Sequence, residues 1–228
     1  MKTRSAFLLA VIALVFASCN VTDPYVKTKF NGMWVLARNN DQRIATENRN
    51  VISFTDKENA VFSSKDDKNV WRELDVKSKF EGIRLTVGSA VSADLTIIND
   101  TMLLLSADAG SLQYNRVVQS KSTYLGTWEV IDDTNADNIG KVRLIFTEDG
   151  KYEYQTLTNG NWSSSGLKSG DWYIYETLLA LNSVESTGTT AELWDISLAY
   201  VNTETRWLQN ATDKDGNIIR SRTLKKLN

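Results

Sequence analysis

Apolar and polar residues alternate with a period of two along much of this chain. In the segment 194–200, Trp194, Ile196, Leu198 and Tyr200 are each separated by one residue. A period of two places alternate side chains on opposite faces of a strand, whereas an amphipathic helix repeats near 3.6 residues. No stretch of the chain has a convincing helical stripe. The pattern therefore predicts an all-β fold.

Turn-forming dipeptides punctuate these strand-like segments. Asp149-Gly150, Asn159-Gly160 and Asp215-Gly216 each fall between or next to apolar runs. Such dipeptides favour the two-residue turns of β-hairpins. Short strands joined by hairpins predict antiparallel sandwiches or barrels, and closure into a barrel removes exposed sheet edges.

The chain contains two copies of one pattern. The segments 30–35 (FNGMWV) and 124–129 (YLGTWE) share an aromatic residue followed by Gly-x-Trp, and about twenty residues later ISFTD at 52–56 matches LIFTE at 144–148. Each copy closes on a strand-like run that contains arginine. The order of these matches predicts a tandem duplication, with domains at 29–119 and 123–228.

The repeated motif resembles the opening of lipocalin-like barrels. In that family a Gly-x-Trp opens the first strand at the closed end, and an arginine of the last strand packs across the tryptophan. The resemblance implies two tandem small antiparallel lipocalin-like barrels. It implies barrel-closing roles for these residues: Gly32, Trp34 and Arg116 in the first copy, and Gly126, Trp128 and either Arg222 or Arg220 in the second. A guanidinium over a Trp ring contributes about 0.5 to 2 kcal/mol.

The N-terminus resembles a bacterial lipoprotein signal. Lys2 and Arg4 precede the apolar run 6–17, and the only cysteine, Cys19, follows after Ser18. At about 1.5 Å per residue the run is too short to cross a bilayer core of about 30 Å. The resemblance implies a signal peptide at 1–18, lipidation of Cys19, a tether at 19–28 and anchoring in the bacterial envelope. We expect the outer membrane, on its periplasmic or surface face; the alternative is an ordinary secretory signal with an incidental cysteine.

Charge and composition exclude several functions. The chain has 26 Lys and Arg, 28 Asp and Glu, a net charge of −2 and no histidine. This net charge does not provide the excess of basic residues that is typical of nucleic-acid-binding proteins. The lack of histidine excludes a Ser-His-Asp triad and any His-based metal site. The oxygen-rich loop 132–137 is either a plain turn or a calcium loop. Lysines and arginines around Trp71 form either a solvated strand face or a contact with anionic lipid or glycan. We predict no catalytic residue, no metal and no cofactor.

Aromatic residues are concentrated in the second copy. Trp172, Trp194 and Tyr154 are candidates for the wall of a ligand pocket, although packing of a filled core would use the same residues. The sequence favours a non-enzymatic, lipid-anchored envelope protein that binds a small apolar or sugar-like ligand. The alternative is a structural or interaction module whose filled barrels dock another envelope component, with the protein partner unidentified.

Overall fold

A computed structural model describes most of the chain after the predicted tether. The described ranges are 30–56, 58–89, 91–106, 110–118 and 121–227. The predicted signal peptide at 1–18, the lipidation site Cys19 and the tether to residue 28 lie outside the described residues. No helix in the described ranges is long and apolar enough to cross a membrane.

The first unit is a nine-stranded antiparallel sheet whose ends meet, because β1 pairs with both β3 and β9. Its strands are β1 (Gly32–Asn39), β2 (Gln42–Arg43), β3 (Val51–Phe54), β4 (Asn59–Lys65), β5 (Trp71–Glu81), β6 (Arg84–Val87), β7 (Val91–Ile98), β8 (Thr101–Ser106) and β9 (Gly110–Val117). Strand β2 forms a short hairpin on the outer end of β1. Neighbouring strands otherwise follow chain order, so the sheet is a meander.

The second unit is a closed barrel of antiparallel strands in chain order. Its strands are β10 (Gly126–Asp133), β11 (Val142–Phe146), β12 (Lys151–Thr158), β13 (Asn161–Ile174), β14 (Leu178–Glu185), β15 (Gly188–Val201), β16 (Glu204–Thr212) and β17 (Ile218–Lys226). Short 3-10 helices cover Thr46–Asn48, Lys121–Tyr124 and Ala136–Asn138. The all-β prediction is confirmed, with two barrel-like units.

The two units close with the same strand register. Trp34 on β1 pairs with Arg116 on β9, and Trp128 on β10 pairs with Lys226 on β17. In each first strand the ladder with the last strand is interrupted by a bulge two residues after the tryptophan, between Leu36 and Arg38 and between Val130 and Asp132. A shared bulge position agrees with the tandem duplication predicted from the motif, since bulges mark fixed features of a fold.

Alternating burial accounts for the two interiors. Along β7 every second residue is buried, as the period-two pattern of its sequence requires. The interior of the first unit includes Phe30, Trp34, Leu85, Met102 and Tyr114. The interior of the second unit includes Tyr124, Trp128, Phe146, Trp172 and Trp207.

The outer faces of the two units also pack against each other. Val35, Val51 and Trp71 of the first unit share a buried apolar cluster with Leu178 and Leu193 of the second. Strand β14 is consequently buried on both faces over its first six residues. A strand buried on both faces reads as a continuous apolar run, which Leu178 begins in the sequence.

Polar contacts surround this apolar interface. The hydroxyl of Thr46 donates to a carboxylate oxygen of Asp195 at 2.6 Å, and the guanidinium of Arg49 lies 3.2 Å from the other oxygen of that carboxylate. The backbone N–H of Thr212 donates to Thr46 Oγ1 at 2.8 Å. The 3-10 helix at 46–48 and the following Arg49 therefore join the first unit to the middle of β15 and the end of β16.

The predicted hairpin at 159–160 is confirmed. Asn159 and Gly160 have φ values of 52° and 79° between β12 and β13. Positive φ at both central residues is what a type I′ turn requires.

Candidate functional site

A cavity of about 350 Å³ opens at the strand ends of the second unit. It lies within the range typical of small-molecule sites, at the lower end. Residues from every strand of the second unit except β16, and from the loop after β10, line it. The lining includes Asp133, Asn138, Leu144, Tyr152, Tyr154, Lys168, Leu181, Ser183, Glu185, Glu192, Trp194, Arg220 and Arg222.

Arg222 is the most unusual of these lining residues, because its charged side chain is only 8% exposed. Its Nε donates to Oε1 of Gln209 on the neighbouring strand at 2.5 Å. Its Nη2 is buried and has no hydrogen-bond partner among the described residues. Burial lowers the pKa of the Arg222 guanidinium, while the carboxylates of Glu192 and Asp133 raise it. A buried donor without a partner costs about 1 to 3 kcal/mol, more for a charged group.

Two guanidinium groups lie on the same tryptophan. The Cζ atoms of Arg222 and Arg220 are 4.4 Å and 4.7 Å from the ring centroid of Trp194. Arg220 and Arg222 share one face of β17 because they are two residues apart. Glu192, two residues before Trp194, accepts from the indole Nε1 at 3.3 Å and lies 3.7 Å from Arg220 Nη1. Trp194 therefore holds both cations at the mouth of the barrel.

Tyrosines and a serine form another part of the wall. The hydroxyl of Tyr152 is 2.6 Å from Oγ of Ser183, and the Nζ of Lys168 lies 5.1 Å from the ring centroid of Tyr154. Burial raises the pKa of both tyrosines, so their hydroxyl groups remain protonated at neutral pH. The wall offers neutral hydroxyl groups and ring surface beside the buried arginine.

In the oxygen-rich loop after β10, the carboxylate of Asp133 is hydrogen-bonded by residues of the same loop. The two oxygens of Asp133 accept hydrogen bonds from the backbone N–H of Asn135 at 2.7 Å and from Nδ2 of Asn138 at 3.1 Å. Asn135 in turn caps the 3-10 helix at 136–138. Within the described ranges no group of three or more His, Cys, Asp and Glu residues is placed to hold a metal ion. The geometry is that of a turn stabilised by its own side chains.

Of the three predicted ligand-binding residues, Tyr154 and Trp194 line the cavity, but Trp172 does not. Trp172 is 1% exposed, packs edge-on against Phe146 at 5.1 Å and donates from Nε1 to the carbonyl of Thr147 at 3.1 Å. Phe146 also contacts Trp207, which packs against Trp128. Trp172 therefore lies outside this cavity and belongs to the aromatic core around Trp128.

In the first unit, the expected closing pair is in contact. Arg116 Cζ lies 4.2 Å from the Trp34 ring centroid, and Trp34 Nε1 donates to the carbonyl of Phe30 at 2.7 Å. Gly32 has a φ of +126°, and a Cβ there would come within 2.8 Å of Nη1 of Arg116. The position therefore favours glycine on both backbone and steric grounds.

In the second unit, the expected pair of Trp128 with Arg222 or Arg220 is not formed. The cation over Trp128 is Lys226, whose Nζ lies 5.4 Å from the ring centroid. Trp128 Nε1 donates to the carbonyl of Tyr124 at 2.8 Å, as in the first unit, and Gly126 has a φ of +105°. The equivalent of Arg116 in the second unit is thus Lys226, four residues after Arg222.

The basic segment around Trp71 is not an exposed binding surface for that ring. Trp71 is fully buried in the contact between the units, and its Nε1 donates to the hydroxyl of Tyr175 at 3.1 Å.

The sequence alone did not identify Gln209, Ser183 and Glu192 as residues in or next to the cavity. Inward alternation with the aromatic residues of the same barrel was the signal that could have found Glu192, two residues before Trp194.

No protein-family model matches the chain, and no curated protein matches it. Among solved structures, the chain is similar to a protein of unknown function from the DUF3598 family of Nostoc punctiforme. That comparison has a TM-score of 0.23 and 8% sequence identity, and it covers 91% of this chain and 96% of the other.

Proposed function

We propose that this chain is a lipid-anchored protein of the bacterial envelope that binds a small molecule in the cavity of its second unit. The anchoring half of the proposal rests on the position of Cys19, one residue beyond a short apolar run. The binding half is non-enzymatic and follows the resemblance to lipocalin-like barrels. The observation that carries it is the cavity of about 350 Å³, whose wall combines Trp194 with the buried, partly unpaired guanidinium of Arg222.

The cavity has the mixed lining that small-molecule sites use. Leu144 and Leu181 supply apolar surface, and Tyr154 and Trp194 supply aromatic rings. A few fixed polar groups among such surface give a site its orientation and specificity. The aromatic core around Trp128 fills part of the barrel interior, and the cavity is left to the ligand.

The first unit favours a second, supporting role. In the interior of the first unit, the ring centroid of Phe30 lies 5.3 Å from that of Phe54 and 5.8 Å from that of Phe80. The outer face of the first unit covers β14 and β15 of the second unit. A filled unit of this kind is suited to structural support or to docking of another envelope component.

The binding proposal is tested by extracting the purified, full-length mature protein with organic solvent and analysing the extract by mass spectrometry. We expect a small molecule to co-purify. Glu185→Trp places a large ring at the cavity lining and should reduce the recovered compound. Val184→Trp is the matched control, because residue 184 points to the other face of β14 and is exposed.

The alternative role, a structural or docking module with filled barrels, predicts that no small molecule co-purifies. If the extract of the wild type contains no compound and Glu185→Trp changes nothing, the second unit is not a small-molecule site. The module with filled barrels is then the better description of the protein.

A further inference from the structure

The unpaired guanidinium nitrogen of Arg222, a residue of the cavity wall, indicates what chemistry the ligand carries. Resting on the proposed binding function, we propose that the ligand of the second unit is a small carboxylic acid with an apolar body, whose carboxylate accepts a hydrogen bond from Nη2 of Arg222. The carboxylate would satisfy a buried donor that has no partner among the described residues. Arginine is well matched to carboxylates because its planar fork presents N–H donors in fixed directions.

The carboxylates of the protein near Arg222 are engaged elsewhere. Asp133, which pairs with Arg222 across the β10–β17 ladder, accepts hydrogen bonds from Asn135 and Asn138. Glu192 accepts from the indole of Trp194. Both side chains raise the local negative potential without bonding to Nη2. The guanidinium is thus held in place with a donor left for a ligand.

The remaining contacts of Arg222 fix its orientation. Gln209 is fully buried and accepts from Nε, and the Trp194 ring lies against the guanidinium. Gln209 does not line the cavity, so we assign it as a positioning residue. An arginine held on two sides loses little conformational freedom when a ligand binds, which favours affinity.

The charge of the lining favours a monoanion over a phosphate. Arg220, Arg222 and Lys168 share the cavity with three carboxylates, Asp133, Glu185 and Glu192. A dianion would meet repulsion from these carboxylates, while a single carboxylate can be matched by Arg222 alone. The apolar body would lie along Leu144, Leu181 and the ring of Tyr154.

The test compares acids with their primary amides on the full-length mature protein in a non-ionic detergent, by isothermal titration calorimetry. The probes are benzoate with benzamide, hexanoate with hexanamide, and indole-3-acetate with indole-3-acetamide. Each pair has nearly the same size and apolar body but differs in charge. For the probes that bind, we expect the acid to bind at least tenfold more tightly than its amide.

Two variants assign this preference to the arginine. Arg222→Met removes the charge and keeps an apolar side chain of similar length, and it should reduce the acid to the affinity of the amide. Gln209→Glu supplies Arg222 with an internal carboxylate at nearly constant shape, and it should also abolish the preference for the acid. Because the second variant adds a buried ion pair and removes no volume, it gives a second result if Arg222→Met fails to fold.

The possible results separate this inference from the proposed function. Equal affinity for acid and amide in the wild type, or a preference that survives in both variants, overturns the carboxylate assignment and leaves small-molecule binding in place. If no member of any pair binds and no compound co-purifies, the binding function itself is wrong, and the carboxylate assignment falls with it.

Discussion

The side chain of Asn182 hydrogen-bonds both backbone groups of Trp71. The backbone N–H of Trp71 donates to Oδ1 of Asn182 at 2.9 Å, and Nδ2 of Asn182 donates to the carbonyl of Trp71 at 3.0 Å. Asn182 lies on β14 of the second unit and Trp71 begins β5 of the first, and both are buried. One carboxamide therefore satisfies the donor and the acceptor of a residue in the other unit, as a neighbouring strand would.

Asn182→Ala should lower the free energy of unfolding of the whole chain by about 2 kcal/mol or more. The substitution leaves both backbone groups of Trp71 buried without a partner, and each such group costs about 1 to 3 kcal/mol. Urea unfolding followed by tryptophan fluorescence measures the change. Asn115→Ala, at an exposed position of β9, should change stability by no more than about 0.5 kcal/mol. Equal effects of the two substitutions would contradict a stabilising role for the Asn182 contact.

A fragment of residues 122–228 should fold less stably than the same unit within the whole chain. The duplication predicts that each copy completes its own sheet, but the outer face of the second unit packs against Val35, Val51 and Trp71. Removing the first unit exposes Leu178 and Leu193, at about 25 cal/mol for each Å² of apolar surface. We expect a lower urea midpoint and concentration-dependent association of the fragment. An unchanged midpoint and a monomeric fragment would show that the interface contributes little.

The sequence predicted the strands and the two barrel-like units better than it predicted this interface. Period-two alternation and turn dipeptides are local signals, so they survive without knowledge of the tertiary structure. The contact between the units depends instead on which outward faces meet. The residues of an outward face do not indicate, from the sequence alone, which other face they pack against. The unbroken run from Leu178 to Leu181 was the local sign that β14 is buried on both faces.

Gly170→Ala should destabilise the protein by roughly 3 kcal/mol, at the upper end of the cost of overpacking. A Cβ on Gly170 would come within 1.8 Å of the backbone carbonyl oxygen of Asn182, on the paired strand β14. Backbone atoms cannot turn away as a side chain can, so β13 and β14 would have to separate.

Gly160→Ala provides the control for this effect. Unlike Gly170, it has a backbone that is strained for a residue with a side chain, with a φ of +79°, and no atom lies within 4 Å of the added Cβ. We expect a cost of about 1 to 2 kcal/mol from backbone conformation alone. Thermal unfolding of both variants tests the difference, and an equal or smaller loss for residue 170 would contradict the close approach of the two strands.

Cys19→Ala should release the protein from the membrane fraction. The prediction rests on the single cysteine after the apolar run, because residues 1–29 lie outside the described ranges. Each buried CH₂ of an acyl chain contributes about 0.8 kcal/mol, so loss of the chains removes stable anchoring. Fractionation with a high-salt wash measures the effect. A variant that remains in the membrane pellet after the wash would rule out lipidation as the anchor.

The candidate site shows the same division between local and tertiary information. Tyr154 and Trp194 were predicted from aromatic content, and both line the cavity. Trp172 was chosen on the same ground, but depth within the barrel separates it from the cavity. Arg222 lines the cavity and does not pair with Trp128. The Gly-x-Trp motif identifies the tryptophan of the closing pair, but its cationic partner depends on the register between the first and last strands.

Trp128→Ala should destabilise the second unit strongly, while loss of the cation over its ring should have a small effect. Trp128 is fully buried, and truncation of a buried aromatic side chain typically costs about 3 to 5 kcal/mol. Lys226→Met keeps the aliphatic stem that covers the ring and removes the charge together with its hydrogen bond to the carbonyl of Thr123. The charge over the ring contributes about 0.5 to 1 kcal/mol where it is partly exposed. Urea melts of the full-length variants give both values. Double-mutant cycles with Trp128→Phe test the assignment of the pair, because Lys226→Met should show a coupling energy with Trp128 and Arg222→Met should show none. Coupling of Trp128 to Arg222, together with none to Lys226, would restore Arg222 as the partner of Trp128.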